Sequence, residues 1–261
     1  MKKMSIGLLA GILVFSFFGT AHAISIIGDN LGNTYTVDTS TRVASLIGTS
    51  GVGALTDVAV DSSGDLWGIS FSTLYTINSS NGSATAVGAL SGFGFNALVF
   101  DSAGTLFSAS STSTALYTVN TSTGAATALS GSLGGASSGD LEFDASGNLY
   151  LSRAGSPDQL VGVNTTTGQG TLIGSTGISG LFGLAYDGGT MYGYAGQNRY
   201  IINLATGAGT FDGAISGLGG NSVAWGAGTR PTAVPEPSTL LLLGSGLVGL
   251  GLWRRKATAK N

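Results

Sequence analysis

The 261-residue chain is predicted to be all-β: a β-propeller of about five four-stranded blades, completed by strands from the N-terminal end, with a signal peptide before it and a transmembrane helix after it. Three observations carry this expectation. Two sequence blocks recur with a period near 40 residues, each period holds four short apolar runs, and the last copy stops after one strand while the chain opens with three. An open β-solenoid is the rival architecture, since repeats of this length also stack without closing.

Residues 1–23 read "MKKMSIGLLAGILVFSFFGTAHA": Lys2 and Lys3, an apolar stretch from Ile6 to Phe18, then Ala21-His22-Ala23. This is the layout of a Sec signal peptide, cut by signal peptidase after Ala23, and it is short for a membrane span. A retained N-terminal anchor is the alternative. Three strand-like runs follow, "ISIIG", "NTYTVD" and "VASLIG".

The first repeated block then begins. "DVAVDSSGDLWGIS" (57–70), "ALVFDSAGTLFSAS" (97–110), "DLEFDASGNLYLSR" (140–153) and "GLAYDGGTMYGYAG" (183–196) align, and "SVAWG" (222–226) opens a fifth copy. Asp61, Asp101, Asp144 and Asp187 fall 40, 43 and 43 residues apart. In "D-x-x-G" the aspartate caps its own downstream backbone and glycine takes positive φ, which makes a tight turn after the first strand.

The second block reads "TYTVDTSTR" (34–42), "LYTINSSNG" (74–82), "LYTVNTSTG" (116–124), "LVGVNTTTG" (160–168) and "YIINLATG" (200–207). Its "N-x-x-x-G" ending predicts a longer hairpin loop after the third strand. The Asn-x-Ser/Thr matches at Asn78, Asn81, Asn120 and Asn164 are accordingly expected to be turns and not glycan acceptors.

Along the first strands, Val58/Val60, Leu98/Phe100, Leu141/Phe143, Leu184/Tyr186 and Val223/Trp225 recur at period two and are expected to fill the space between blades. "SVAWG" and the three N-terminal runs together make one complete blade. Strands from both ends then close the ring and leave no open seam.

Composition narrows the chemistry. The only histidine is His22, there is no cysteine, and every lysine (Lys2, Lys3, Lys256, Lys260) lies in a terminal segment. The body from Ile24 to Arg230 therefore lacks Ser-His-Asp and Cys-His nucleophiles, Schiff-base lysines and the usual zinc ligands. No metal or cofactor is expected, and stability must come without disulfides. Four arginines stand against twelve acids in the body, a net charge of about −8, which repels phosphate backbones and argues against nucleic acid.

Carboxylates remain as candidate catalysts. Aligned first strands put Asp57 and Asp140 in one column, opposite Ala97, Gly183 and Ser222. Glu142 replaces Ala59, Val99, Ala185 and Ala224 in the column two residues on. Two carboxylates suffice for glycoside hydrolysis, so an enzyme using Asp57, Asp140 and Glu142 in the channel is the alternative to a binding or structural module. A solvated channel entrance accounts for the same acids. "DSSGD" at 61–65 lacks the ligand count of a calcium loop. Trp67, Phe107, Tyr150 and Tyr192 share a column of the second strand, where they either pack between blades or stack on sugar rings.

The chain ends in "VPEPSTLLLLGSGLVGLGLWRRKATAKN". Pro235 and Pro237 hold the segment around Glu236 extended, the form a protease-like site binds. From Ser238 to Trp253 the sequence is uncharged and leucine-rich, and as a helix it would reach about 24 Å, a marginal membrane span. Arg254, Arg255 and Lys256 then favour a cytoplasmic C-terminus.

This ending closely resembles the PEP-CTERM sorting domain of Gram-negative bacteria, over Val234 to Lys256. The resemblance implies handling by an exosortase, with Pro235, Glu236 and Pro237 as the recognition element, and an association with exopolysaccharide, biofilm matrix or the cell envelope. It also implies a transient inner-membrane anchor. The expected organisation is thus a signal peptide (1–23), a propeller-like repeat domain (24–228), a linker (229–233), a sorting signal with its transmembrane helix (234–256) and a cytoplasmic tail (257–261).

Overall fold

The computed structural model describes residues 24–220 and 222–230. Ala21 and Ala23 of the expected cleavage site, and Pro235, Glu236, Pro237, Arg254 and Arg255 of the expected sorting signal, lie outside the described residues. So does the expected membrane helix. Among the described residues no helix is long and apolar enough to cross a membrane.

Twenty strands form five four-stranded antiparallel sheets. The chain opens with β1 (Ile24–Asp29), β2 (Asn33–Asp38) and β3 (Ala44–Thr49). The next blade is β4 (Asp57–Val60), β5 (Leu66–Ile69), β6 (Thr73–Ile77) and β7 (Ala84–Ala89). Then come β8 (Phe95–Phe100), β9 (Leu106–Ser110), β10 (Tyr117–Val119) and β11 (Ala126–Ala128). A fourth sheet holds β12 (Ser137–Phe143), β13 (Leu149–Arg153), β14 (Gln159–Val163) and β15 (Gly170–Ser175). Finally β16 (Gly183–Asp187), β17 (Thr190–Ala195), β18 (Asn198–Ile202) and β19 (Gly209–Ala214) precede a lone β20 (Ala224–Arg230).

β20 completes the first sheet in the order β20-β1-β2-β3. The inner strands β20, β4, β8, β12 and β16 pack in a ring, and β16 meets β20. That closure rules out the open solenoid. It joins three N-terminal strands to one C-terminal strand, as the repeat count predicts.

One register differs from the expectation. β20 pairs with β1 so that Gly28 faces Gly226 and Ile24 faces Arg230, with a bulge at Asp29. In the second blade Asp57 faces Ile69, whose third-strand partner is Leu74. Gly28 holds the matching place opposite Thr34. Gly226, not Ser222, thus stands in the Asp57 column, and Gly228, not Ala224, in the Glu142 column. Thr229 and Arg230 belong to the closing strand, which extends into the expected linker. The aspartate-led turn that anchors the other four copies, "D-x-x-G" in three and Asp187-Gly188-Gly189 in the fourth, is absent here, so the Val-Ala pair at 223–224 imitates an alignment that strand pairing rejects.

The turns form as their residues dictate. Asp61 Oδ1 accepts the amides of Ser63 and Asp65 at 2.9 and 3.0 Å, and Asp101 and Asp144 repeat the pattern. Gly64 completes the turn at φ 86°, in the left-handed region. Asn78, Asn120, Asn164 and Asn203 each accept amides of their own loop through Oδ1.

Apolar residues gather in five clusters, one at each blade junction. Val58, Leu98, Leu141 and Leu184 are all buried in them. In the closing blade Ala227 takes that role, in place of Val223 or Trp225.

Candidate functional site

A blade's inner strand is a sheet edge, so a row of its N–H groups faces the axis and needs acceptors. Two aspartates supply them. Val58 and Leu98 donate to Asp57 at 2.7 and 2.6 Å. Leu141, Leu184 and Ala227 donate to Asp140 at 2.6, 2.5 and 3.2 Å. Each of the five blades thus contributes one amide to a pair of carboxyl groups at the centre of the ring. Both aspartates are fully buried.

The rest of that column is small because the carboxyls occupy its space. A Cβ on Gly226 would strike the Asp57 carboxyl, and one on Gly183 would press on Ala227 and Tyr194. Ala97 completes the column. The small residues opposite the acids are therefore their packing complement.

Burial pushes the Asp57 carboxyl well above its ordinary range, and the neighbouring Asp140 charge and their mutual hydrogen bond push it further. Burial also raises Asp140, against the Leu184 amide and the Asp57 proton, which both favour its ionised form. Burial and mutual proximity thus disfavour two ionised carboxylates at this point, and both carboxyls are shifted toward their protonated forms. The five amide dipoles pointing at the pair oppose that shift.

Glu142 sits one tier along the axis. Burial raises its pKa to about 8, opposed chiefly by the Phe143 amide, which donates to it at 3.0 Å. It is 7% exposed and lines a cavity of about 380 Å³ at the end of the ring where the "D-x-x-G" turns lie. Asp61, Asp101 and Asp144 line the same mouth, with oxygens engaged by their own turns.

The structure thus brings Asp57, Asp140 and Glu142 together, as the aligned columns suggest. Only Glu142 reaches a cavity. Among the described residues no group of three His, Cys, Asp or Glu is placed to hold a metal ion.

The second-strand aromatics are packed. Trp67 meets Phe100 edge-on at 5.7 Å and donates Nε1–H to Asp61 at 3.0 Å. Phe107 meets Phe143 at 6.2 Å, Tyr150 donates its hydroxyl to Asp144 at 3.2 Å, and Tyr192 lies under the Arg199 guanidinium at 4.3 Å. These rings join neighbouring blades and turns, and their faces are not presented together to solvent.

Two features escape sequence reasoning. Asp29, fully buried at the end of β1, accepts the amides of Leu31 and Asn33 at 2.9 and 2.7 Å, the Tyr35 hydroxyl at 3.3 Å and the Ser222 hydroxyl. It ties the two ends of the ring together. It belongs to no repeated block, and that position alone was its signal. The second feature is the opposite mouth, where Thr56, Asn96, Gly139, Phe182 and Trp225, each one residue before the Asp57 column, form a ring of five positions. The misaligned fifth copy hid Trp225 from that ring.

Residues 233–256 match the PEP-CTERM protein-sorting motif. The motif implies export and envelope association, and processing by an exosortase. No curated protein matches the chain. Among solved structures, one from the "Crystal structure of Nidogen/Laminin Complex" is similar at 15% identity and TM-score 0.54, over 79% of this chain and 85% of that one. Another, described as "The de novo evolutionary emergence of a symmetrical protein is shaped by folding constraints", is similar at 18% identity and TM-score 0.51, over 78% and 93%. At these identities the likeness is one of fold alone.

Proposed function

We propose that this exported propeller is a non-catalytic surface or matrix module, held briefly in the inner membrane by its C-terminal helix and then processed at Pro235-Glu236-Pro237. Exopolysaccharide is the partner this route favours. The observation that carries the non-catalytic reading is the commitment of the axial carboxyls to backbone. A glycosidase needs two carboxyl groups flanking a sugar. Here Asp57 and Asp140 bond to each other and to five amides, with no exposure to solvent.

The rival enzyme reading keeps one supporting observation, the raised pKa of Glu142 beside a cavity. Such a carboxyl stays protonated near neutrality and suits a general acid. It lacks a second, accessible carboxylate free of turn hydrogen bonds.

The test combines fractionation with activity. Intact mass of the protein from its native host should report loss of residues 1–23, cleavage near the sorting motif and any attached group. Glu142→Gln should leave envelope or matrix association unchanged, and neither it nor the parent should cleave glycans. A glycan-cleaving activity in the parent that vanishes in Glu142→Gln would establish the enzyme.

A further inference from the structure

The ring mouth opposite Glu142 encloses about 240 Å³. That is below the ~300–1,000 Å³ of pockets for drug-sized ligands and suits a single ring. Trp225 and Phe182 supply aromatic surface on one side, both half-buried.

Opposite them stands Asn96, only 7% exposed. Its Nδ2 donates to the carbonyls of Ser137 and Ser138 at 3.4 and 3.1 Å, which fixes the amide's orientation. Its Oδ1 then has no partner and is closed to solvent in this structure, so a ligand reaches it only when the side chains over it part. A buried acceptor left unpaired is costly, and such groups call for a ligand or solvent donor.

The other polar groups of the mouth have spent their protons. Thr56 donates to the Phe95 carbonyl at 2.9 Å, Ser111 to the Gly94 carbonyl at 3.1 Å and Ser138 to Asp158 at 2.8 Å. What remains on offer is acceptor capacity beside aromatic faces. A ligand must therefore bring hydrogen-bond donors and an apolar face. No carboxylate lines this cavity, whereas Asp61, Asp101, Glu142 and Asp144 line the far mouth, so a cation would find no countercharge here.

We propose that this mouth is a binding site for one neutral sugar ring, its hydroxyl edge donating to Asn96 Oδ1 and its C–H face stacked on Trp225 or Phe182. This rests on the reading of the body as a binding module and names its ligand class.

The test uses the full chain in a zwitterionic detergent, since glycoside detergents would compete. Methyl glycosides of neutral hexoses and N-acetylhexosamines are titrated, with saturation-transfer NMR and tryptophan emission as readouts. Saturable binding of at least one glycoside is expected, weakened about tenfold by Trp225→Ala and lost in Asn96→Leu. Ser111→Arg, on an exposed loop outside every strand, should block the mouth and leave the circular dichroism unchanged. It keeps the test decisive if either inner-strand variant fails to fold.

No saturable response to any glycoside overturns the site, as does equal affinity in the parent and Ser111→Arg. Binding of methylammonium in place of every glycoside also overturns it. Export and tail processing are read separately by mass, so they survive failure of the site. Release of methanol from a bound glycoside would keep the site and overturn the non-catalytic reading.

Discussion

Asp140 serves three inner-strand amides and Asp57 two. Leaving a buried donor unpaired costs about 1–3 kcal/mol, so Asp140→Ala should destabilise the ring by about 3 kcal/mol or more and Asp57→Ala by less. Urea unfolding measures both, and equal losses would remove the distinction. Asn at either site keeps one acceptor and should be milder. Glu142 adds a pH dependence. Its folded pKa of about 8 stands above the ordinary 4.5, so its contribution is full below about pH 4.5 and declines as pH rises toward 8. At about 1.36 kcal/mol per pH unit the ceiling on that loss is about 5 kcal/mol. Asp57 and Asp140 are shifted upward too and act in the same direction. Asp38 is held down to about 2, chiefly by the Ser40 hydroxyl, and acts only in acid. The urea midpoint should therefore fall between pH 5 and pH 8.5, and less steeply in Glu142→Gln. Identical slopes in the two proteins would reject Glu142 as a source. These three acids stood out in the sequence because their sibling positions are small. Their role did not, because nothing along the chain tells that five amides from five blades meet at one point.

Between elements, the repeated loops do more than turn the chain. A Cβ at Gly48, Gly88 or Gly174 on an outer strand would collide with the carbonyl oxygen of Asn81, Thr123 or Thr206, in the third-strand turn of the next blade. Each turn is thus seated on its neighbour's glycine. Gly174→Val should force that junction apart and lower stability by about 1–3 kcal/mol, read as a reduced urea midpoint. An unchanged midpoint would mean the turn yields freely. The seam between the last and first blades is built differently. Arg42 replaces the turn glycine at φ 61°, and Asp212 pairs with Arg42 at 3.7 Å and Arg199 at 2.6 Å. Blade count, strand order and turn positions were legible because apolar alternation and turn residues are local signals. The register of β20 was not, because pairing with β1, from the far end of the chain, decides it. That pairing also predicts the outcome of removing Ile24–Thr49: β20 loses its only sheet partner, the axial edge opens and the body should aggregate. A monomeric, cooperatively folding truncation would contradict closure by these strands.

For the whole molecule, the ring and its sorting motif make separable demands on the sequence. The ring needs small axial residues, paired carboxyls and repeated turns, all of which end by Arg230. The motif at 233–256 needs a recognisable extended segment, an apolar run and a basic end. Glu236→Ala touches only the first of these. The leucines that favour insertion, each worth about −0.3 to −0.6 kcal/mol at mid-membrane, are untouched, and so are Arg254 and Arg255. If "VPEPS" is read by an exosortase, the variant should accumulate as full-tail protein in the inner membrane with its ring folded as in the parent. If the ending is only an anchor, the substitution should alter neither size nor location. Parent and variant are compared by intact mass and membrane fractionation, in a host that has the cognate exosortase and in one that lacks it. Processing confined to the parent in the first host is the expected result. The same mass in all four samples would reduce the ending to a plain anchor, and the ring would then stay tethered at the membrane in every one of them.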